Sequence, residues 1–544
     1  MANHPRAGQP VLAEDILDLD TLRAAYFDRI PNPAHPEERV SFGTSGHRGS
    51  SLKGSFQERH IFALTQAIIE VRAEEGFQGP LFIGADSHAL SALALQSALR
   101  VLAAHEVDVR RAPNDELVAT PLVSNAILKW NAEPSNPRAD GIIITPSHNP
   151  PQDGGFKYNP ASGGPAEPGL TDRIAARANE LLANPSALRV SSVEEAAAYG
   201  ADFDFVASYV EGLSRVIDLD AIRQAKVHIG VDPLGGASLP VWKKIRDTLD
   251  LNIEILNEVV DPTFGFMCLD HDGVIRMDCS SPWAMAALTE RAKGFDVCVG
   301  NDPDSDRHGI VTARGVMNPN HFLALSVDHL LQTRGDWPAD AGVGRTVVTS
   351  ALFDRVVQSH GREVFEVPVG FKWFVEGMNS RKLVFGGEES AGASFVAFDG
   401  SAWSTDKDGI IMGLLAAELV ARRGESLDAQ LDALFEKHGR VFYTRRDTAA
   451  PAALRSLVKR ATPQSVQTTE LGGGKITSVT SEARGNGAGI GGLRIDTETG
   501  WVAMRPSGTE DILKVYAESF VSEEHLARLV DDAEAMVAEW AQGA

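Results

Sequence analysis

The sequence predicts an α/β protein that ends in a smaller α+β module. Three successive stretches each run from a short apolar strand, through a loop rich in Gly, Asp or Ser, into an amphipathic helix. This alternation predicts mixed, mainly parallel sheets that are covered by helices. The C-terminal part differs, because residues 492–520 alternate like strands between turns and residues 522–541 follow the helical period.

Each α/β stretch contains a pair of predicted strands, and the second strand of each pair enters an unusual loop. Ligands of α/β sheets bind beyond the carboxyl ends of the strands, so these loops are the first candidates for a site. The predicted elements are PLFIGAD (80–86), a helix over 88–104 and GIIIT (141–145) before PSHNP; KVHIGVD (226–232), a helix over 239–249 and FDVCVG (295–300) before NDPDSDR; and RTVVTS (345–350), a helix over 351–360 and KLVFGG (382–387) before EESAG.

Length, charge and cysteine content narrow the class of protein. A chain of 544 residues is long enough for about three to four domains. The net charge of −23 argues against a nucleic-acid partner, but a local cationic pocket can still bind a small anion. The three cysteines match no zinc pattern, and no apolar run is long enough to cross a bilayer. We therefore expect a cytoplasmic protein with neither a nucleic-acid nor a membrane partner.

The hexapeptide TPSHNP (145–150) holds a serine between two prolines at the end of a predicted strand. Pro146 fixes its own φ and Pro150 restricts the residue before it, so Ser147 cannot enter a helix. A hydroxyl on such a stiff, exposed turn suits a nucleophile or a phosphoryl carrier. An ordinary Ser-Pro turn has the same composition, whereas a serine-hydrolase elbow would require a glycine two residues away on each side.

The segment NDPDSDRHG (301–309) places three aspartates, Asp302, Asp304 and Asp306, two residues apart after an apolar strand. A curled loop can direct their carboxylates at one cation, and oxygen-only ligation favours Mg²⁺ or Ca²⁺ over zinc. The segment is not an EF-hand, because the positions that need Gly and Glu hold Arg and Ala. The alternative is a solvated acidic turn, in which three close carboxylates would repel one another.

Two further segments allow either a functional or a purely structural interpretation. GGEESAG (386–392) places Glu388 and Glu389 at a strand end, where carboxylates can orient sugar hydroxyls or simply lie on the surface. STDKDG (404–409) places Lys407 before an apolar helix. Its amine could act on a hydroxyl proton, whereas the acidic residues beside it are also typical helix caps.

Two glycine-containing segments have the composition of phosphate-binding loops. In RPSGTE (505–510), Arg505 can bind a phosphate through two hydrogen bonds, hydroxyls can donate, and a glycine lets the backbone approach. FGTSGHRG (42–49) combines small donors with Arg48. The structural alternatives are a plain hairpin turn and a Gly-rich linker.

In this order and at these separations, TPSHNP, DPDSDR, GEESAG and RPSGTE resemble the motifs of the α-D-phosphohexomutase superfamily. The resemblance includes FGTSGHRG, covers roughly residues 38–540, and looks closest to bacterial members that act on α-D-glucose phosphates. It implies a fold of three related α/β domains and a TBP-like α+β domain around a central cleft. We place these domains at 38–190, 205–315, 320–440 and 441–544.

The resemblance also implies a role for each motif. Ser147 is expected to carry the phosphoryl group and to share one Mg²⁺ ion with Asp302, Asp304 and Asp306. The family often has Ala where Pro146 stands, a change that should stiffen the loop and keep the nucleophile. The remaining expected catalytic residues are Lys407, His148, Arg48 and Lys157. The expected substrate-binding residues are Glu388, Ser390, Gly370, Lys372, Arg307, Arg505, Ser507, Gly508 and Thr509.

Lys407 matches the family's proposed general acid/base, but the residue types leave this assignment open. An ordinary lysine has a pKa near ~10.4 and would need a lower one to act as a base. Asp406 and Asp408 on either side would raise it instead. His148 or a phosphate oxygen is the alternative.

The implied reaction interconverts α-D-glucose 1-phosphate and glucose 6-phosphate through a phosphoserine. Glucose 1,6-bisphosphate is the implied intermediate and activator. The alternatives are a mutase for mannose or pentose phosphates, a Mg²⁺-dependent phosphatase, and an inactive sugar-phosphate sensor. The expected partners are small-molecule hexose phosphates, and we expect a monomer or a homodimer.

Overall fold

The computed structural model describes residues 3–43, 46–507 and 511–543, and the strands in these ranges form four sheets. The first three sheets are mixed, with parallel central strands, and the C-terminal sheet is antiparallel. The predicted fold class, three α/β units and an α+β unit, is confirmed. None of the helices in these ranges combines the length and the apolar character that crossing a lipid bilayer requires.

The first unit is built on a mixed sheet with helices on its faces. Its strands are β1 (His47–Ser50), β2 (Leu81–Ala85), β3 (Val109–Arg111), β4 (Asp140–Ile144), β5 (Asp153–Asn159) and β6 (Ala201–Asp202). Its helices are α1 (Leu19–Asp28), α2 (Glu58–Glu74), α3 (Ala89–Ala104), α4 (Thr120–Asn131), α5 (Pro168–Ala183) and α6 (Val193–Ala197). The strand order is β1-β5-β4-β2-β3-β6, so β6 extends the sheet beyond the predicted span 38–190.

The second unit has a smaller sheet of the same kind. Its helices are α7 (Phe205–Glu211), α8 (Leu219–Ala225), α9 (Leu239–Thr248) and α10 (Ala286–Arg291). Its strands are β7 (Ile229–Asp232), β8 (Ile253–Ile255), β9 (Val297–Asn301), β10 (His308–Thr312) and β11 (Gly315–Val316). They are arranged in the order β11-β10-β9-β7-β8.

The third unit is built on a mixed sheet of four strands. The strands are β12 (Gly342–Thr346), β13 (Val364–Val367), β14 (Leu383–Glu388) and β15 (Gly392–Phe395). The helices are α11 (Pro319–Thr333), α12 (Ala351–Ser359), α13 (Val375–Asn379), α14 (Gly409–Arg423) and α15 (Leu427–His438). Helix α14 begins where the Asp408 carboxylate accepts hydrogen bonds from two backbone N–H groups, and it ends at Gly424 with φ of 66°.

The C-terminal unit is an antiparallel sheet covered by two helices, α16 (Ala452–Lys459) and the long α17 (Glu523–Gly543), in the part of the chain described. The strands are β16 (Phe442–Ala449), β17 (Glu470–Leu471), β18 (Gly474–Glu482), β19 (Gly489–Thr497), β20 (Gly500–Pro506) and β21 (Ile512–Ser519). Their order is β16-β21-β20-β19-β18-β17, and β20 ends with Arg505 and Pro506, the first two residues of the RPSGTE motif.

The three α/β units share one strand order, which places their unusual loops at equivalent points. The orders β3-β2-β4-β5, β8-β7-β9-β10 and β13-β12-β14-β15 each contain three parallel strands followed by an antiparallel one. In each unit, the loop that enters the antiparallel strand carries a predicted motif. The motifs therefore lie at the carboxyl ends of parallel strands, where α/β sheets bind ligands.

The first strand of the third unit lies earlier than the sequence prediction, which placed it over 345–350. Strand β12 ends at Thr346, and the two valines that follow pack against the C-terminal sheet. Strand β12 can lie in a Gly-rich stretch because the Phe374 ring packs against its backbone where a side chain would otherwise lie. A Cβ atom at Gly344 would lie 2.6 Å from the Phe374 side chain, so the ring occupies the place of a side chain.

One hydrophobic core continues through all three α/β units. It includes Ile127 of α4, Trp242 of α9 and Leu414 of α14, all fully buried. Separate clusters fill the space beneath the first sheet and beneath the C-terminal sheet. Because the shared core crosses the unit boundaries, the motif loops are held in a fixed relation to one another.

Candidate active site

Ser147 lies on the turn after β4 and contacts the aspartate loop of the second unit. Its Oγ donates a hydrogen bond to Asp302 Oδ2 at 2.7 Å. The side chain is fully buried, so the sequence prediction of an exposed turn is wrong. The turn is covered because loops at equivalent ends of neighbouring sheets meet face to face.

The three aspartates of the second unit converge on one point. Asp302, Asp304 and Asp306 are fully buried, and each offers a carboxylate oxygen within 4.8 Å of the others. Asp304 Oδ1 and Asp306 Oδ1 have no hydrogen-bond partner among the described residues. Buried carboxylate oxygens without partners are costly, and an oxygen-only set of this kind fits a hard divalent cation. The residues present therefore fit a divalent metal.

Cationic and hydroxyl groups from the other two units surround this cluster. Lys157 Nζ of β5 donates to Asp304 Oδ2 at 2.6 Å and to Asp306 Oδ2 at 3.0 Å. Lys407 Nζ lies 2.9 Å from the same Asp306 oxygen. Thr120, at the start of α4, donates its hydroxyl to Asp304 Oδ2 at 2.5 Å. The aspartate loop is thus held between the first and third units.

The two ends of the aspartate loop differ in their electrostatics. Burial and the like charges of the other two aspartates raise the pKa of Asp302 well above its usual range. Burial acts in the same direction on Asp306, but Lys157 and Lys407 outweigh it and lower the pKa of Asp306. Asp302, beside the serine oxygen, is therefore the carboxylate whose charge is compensated least by protein cations.

The Lys407 ammonium pairs with Asp306, not with its neighbours in sequence. Asp408 faces the core, where Tyr209 and Trp403 donate to it and where it caps α14. Asp406 accepts from Asn159 Nδ2 at 3.0 Å. Both interpretations of the STDKDG segment therefore apply, because one acidic residue caps a helix and the lysine reaches the aspartate cluster.

His148, Arg48 and Arg307 form the near surroundings of the serine. His148 Nδ1 lies 3.4 Å from Ser147 Oγ. Burial, with a further effect of Arg307, lowers the pKa of His148 well below its usual range. The imidazole is therefore neutral at pH 7. Arg48 Nη1 donates to Asn149 Oδ1 at 3.2 Å, and the Arg307 backbone N–H donates to Asp302 Oδ1 at 3.0 Å.

The loop after β14 meets the aspartate loop through backbone hydrogen bonds. His308 N donates to the carbonyl oxygen of Ala391 at 3.0 Å, directly after the expected sugar-binding Ser390, which is partly exposed. Glu388 is buried and its Oε1 accepts from Gly370 N at 3.0 Å, which joins two expected substrate-binding positions. Lys372 lies one turn further, over the Trp373 ring at 5.6 Å.

Only the first three residues of the RPSGTE segment belong to the residues that the structure describes. Arg505 Nε donates to the carbonyl oxygen of Ile490 at 3.1 Å, and Ser507 N donates to that of Ile512 at 2.9 Å. Both side chains are partly exposed. Gly508 and Thr509, which were also expected to bind substrate, lie outside the described residues, as do Thr44 and Ser45 of the FGTSGHRG segment.

Sequence reasoning missed three buried residues that support this site. Thr120 contacts Asp304, and Asp86 and His88 contact the two sides of the serine turn. Asp86 ends the predicted strand PLFIGAD, and a polar residue at the carboxyl end of a parallel strand was the available signal. Thr120 gives no local signal, since only the packing of α4 brings it to the aspartate loop.

Four family models match successive parts of the chain. They are described as phosphoglucomutase/phosphomannomutase alpha/beta/alpha domains I, II and III, over residues 39–184, 207–315 and 318–438, and as the C-terminal domain, over residues 460–536. Together they cover most of the chain.

Relatives and solved structures agree with these matches. A phosphoglucomutase of Komagataeibacter xylinus is 49% identical over 534 residues, which are 97% of this chain and 96% of the relative. One from Rhizobium radiobacter is 28% identical over 432 residues, 74% of each chain. The open form of pp63/parafusin, a phosphoglucomutase from Paramecium, has a TM-score of 0.74 at 21% identity and covers 93% of this chain and 96% of its own. At that identity the likeness is one of fold.

Proposed function

The chain belongs to the phosphoglucomutase/phosphomannomutase family, and we propose that it interconverts α-D-glucose 1-phosphate and glucose 6-phosphate through phosphorylated Ser147. One observation carries this proposal: the serine hydroxyl contacts Asp302 within a cluster of three buried aspartates, two of which retain an oxygen without a hydrogen-bond partner among the residues that the structure describes. The 49% identity to a phosphoglucomutase, over 97% of this chain, supports glucose phosphates as substrates.

The proposed reaction consists of two phosphoryl transfers. In the first, the P–O bond to Ser147 Oγ breaks while the free 6-hydroxyl oxygen of glucose 1-phosphate bonds to phosphorus. The 6-hydroxyl proton passes to a base, and Ser147 Oγ takes up a proton. The resulting glucose 1,6-bisphosphate then binds in the opposite orientation. In the second transfer Ser147 Oγ gives up its proton and bonds to the 1-phosphoryl group, the P–O bond to the C1 oxygen breaks, this oxygen takes up a proton, and glucose 6-phosphate is released.

Asp302, Asp304 and Asp306 would hold Mg²⁺ together with the group on Ser147. When bound, the ion supplies neutralisation of the charge on the transferring phosphoryl group. The chain's own contribution is to position the acceptors: Thr120 and Lys157 fix the orientation of Asp304 by donating to its Oδ2. Oxygen-only ligation supports Mg²⁺ over a softer metal.

Proton transfer is assigned to Lys407, with His148 as the second candidate. Lys407 reaches the aspartate cluster from the third unit, on the side of the expected sugar-binding Glu388. His148 is neutral because burial and Arg307 lower its pKa, so it can accept a proton, but it lies beside the serine. The position of Lys407 suits the substrate hydroxyl better.

Arg505 and Ser507 of the C-terminal unit, with Gly508 and Thr509, are assigned to the phosphate that is not being transferred. Partly exposed Arg and Ser side chains at the end of a strand can donate to phosphate oxygens. Glu388, the last residue of β14, and Ser390, on the loop that follows, are assigned to the sugar hydroxyls. Gly370, Lys372 and Arg307 complete the binding surface.

The decisive experiment measures glucose 6-phosphate formed from glucose 1-phosphate by the purified protein, with Mg²⁺ and catalytic glucose 1,6-bisphosphate. Intact mass and peptide mapping should locate about 80 Da, one phosphate group, on Ser147. Mannose 1-phosphate and ribose 1-phosphate serve as competing substrates, and inorganic phosphate is measured in parallel. Release of phosphate at the rate of substrate loss would indicate a phosphatase, and faster turnover of either competitor would overturn the glucose assignment.

A further inference from the structure

Asp86 and His88, in the loop between β2 and α3, form a buried polar pair that the proposed chemistry does not use. Both side chains are fully buried. The pair lies behind the turn of Ser147 and contacts the turn on both sides, at Thr145 and at Asn149. A buried charged pair with no direct contact to the reacting atoms needs an explanation beyond stability, since such pairs stabilise proteins weakly.

The Asp86 carboxylate is fully occupied by donors. Its Oδ1 accepts from Ser91 Oγ at 2.6 Å and from the His88 backbone N–H at 3.0 Å. Its Oδ2 accepts from His88 Nδ1 at 2.8 Å and from Thr145 Oγ1 at 2.6 Å. Thr145 Oγ1 in turn accepts the Ser147 backbone N–H at 2.8 Å. One side of the serine turn is therefore tied to Asp86 through a single hydroxyl.

His88 makes the hydrogen bond that holds the other side of the serine turn. Its Nε2 lies 3.0 Å from the carbonyl oxygen of Asn149, which can only accept, so Nε2 carries a proton. Its Nδ1 lies 2.8 Å from Asp86 Oδ2, so one proton lies between these two atoms. An imidazolium beside an ionised Asp86 satisfies both hydrogen bonds of the ring. Although burial opposes the charge, Asp86 raises the pKa of His88, which agrees with this proton count.

The turn needs such support because Ser147 has a backbone φ of 62°. Residues other than glycine hold this conformation only where the surroundings determine it. The hydrogen bonds from Thr145 to Asp86 and from His88 to Asn149 hold the backbone on both sides of the serine. The serine oxygen then points at Asp302.

We propose that Asp86 and His88 are positioning residues, which fix the backbone of the serine turn and thereby the place of the serine oxygen during phosphoryl transfer; this rests on the function proposed above. Neither residue is assigned to the substrate or to the metal. Their effect is on the geometry of transfer, where a displacement of about 1 Å can cost up to about a hundredfold in rate.

The test compares four variants with the wild type. His88→Phe keeps a ring against Phe264, whose ring centroid lies 4.9 Å away, but removes both donors. Thr145→Val keeps the shape of the side chain and removes the hydroxyl that links Asp86 to the Ser147 backbone N–H, whereas Thr145→Ser keeps that hydroxyl. Ser91→Ala removes a bond to the same carboxylate without a contact to the serine turn. For each, kcat and KM for glucose 1-phosphate and the thermal midpoint are measured.

His88→Phe and Thr145→Val should lower kcat by about tenfold to a hundredfold, with KM for glucose 1-phosphate changed less than about twofold. Thr145→Ser and Ser91→Ala should keep kcat within about threefold of the wild type. A kcat of Thr145→Val equal to that of Thr145→Ser overturns the proposal, even if His88→Phe does not fold. An equal loss in Ser91→Ala overturns it too, because the effect would then be structural. An inactive wild type instead refutes the proposed function.

Discussion

At the scale of single residues, the candidate site combines buried charges that a folded protein rarely leaves uncompensated. Asp302 carries the raised pKa that burial and two neighbouring carboxylates cause. Asp304 and Asp306 each retain a buried oxygen without a hydrogen-bond partner among the described residues. Three carboxylates this close are unfavourable without a cation. Their presence is therefore explained by metal binding and catalysis, not by stability.

Ser147→Ala should abolish mutase activity and leave the fold intact. The substitution removes the phosphoryl acceptor and one hydrogen bond to Asp302, and a single such bond contributes only about 1 kcal/mol. The thermal midpoint should therefore change by less than about 4 °C. A coupled assay and a thermal melt check both statements. Mutase turnover at the wild-type rate would refute the role of Ser147.

Arg505→Ala should raise KM for glucose 1-phosphate by about tenfold, which corresponds to about 1.4 kcal/mol of lost binding. Arg505 is partly exposed on the last residues of β20, so the loss concerns binding and not folding. Steady-state kinetics measure the change. Arg460→Ala, an exposed arginine of the same unit, is the control and should leave KM unchanged. An unaltered KM in Arg505→Ala would remove this residue from the binding site.

At the scale of elements, equivalent loops of three related sheets are brought together. The loops after β4 and β9 hold the serine and the aspartates, and Glu388 ends β14. Hydrogen bonds join the serine loop to the aspartate loop, and His308, directly after the aspartate loop, to Ala391 of the loop after β14. The start of α4 adds a further contact, because Thr120 donates to Asp304 with its hydroxyl at 2.5 Å and with its N–H, at 2.9 Å, to the Asp304 carbonyl oxygen.

Thr120→Val should weaken activation by Mg²⁺, since partners of a metal ligand typically change metal affinity by about tenfold to a hundredfold. Valine keeps the shape of threonine but cannot donate to Asp304 Oδ2. The measurement is activity as a function of Mg²⁺ concentration, with KM for glucose 1-phosphate as a second readout. Thr120→Ser keeps the hydroxyl and should behave like the wild type. Identical Mg²⁺ curves for the valine and serine variants would contradict this prediction.

At the scale of the whole molecule, buried contacts join the units into one body. Besides the shared hydrophobic core, Glu418 of α14 links the third unit to the second. Its carboxylate accepts from His329 Nε2 at 2.8 Å, from Arg334 at 2.8 and 2.9 Å, and from Asp218 N at 2.9 Å. Burial opposes the charge, but these donors lower the pKa of Glu418 to about 2.

Glu418→Gln should destabilise the fold at pH 7 by about 3 kcal/mol, the value expected from such a pKa difference. Because the folded pKa of Glu418 lies below its ordinary value of 4.5, its contribution is complete above that value and is lost as the pH falls towards about 2. The difference in unfolding midpoint between variant and wild type should therefore shrink between pH 7 and pH 3.

Glu425→Gln, an exposed glutamate shortly after the same helix, is the matched control and should behave like the wild type at both pH values. A difference for Glu418→Gln that is as large at pH 3 as at pH 7 would show that the carboxylate charge does not hold the units together.

The residue types of the candidate site, and the fold class, could be predicted from short segments of the sequence. Strand and helix periods, the proline-flanked serine, the alternating aspartates and the order of the motifs are all properties of neighbouring residues. They indicated three α/β units followed by an α+β unit, and they identified the residue types that phosphoryl transfer requires. Such inferences succeed because backbone propensity and turn chemistry act over a few residues.

Only the tertiary structure decided how those residues meet. Ser147 and Asp302 are 155 positions apart, and their contact depends on the strand order of two sheets and the core between them. The same packing buried a serine that looked exposed, paired Lys407 with Asp306, and brought Thr120, Asp86 and His88 to the site. Long-range packing has no local signature, so sequence indicated the site's chemistry and the fold decided its geometry.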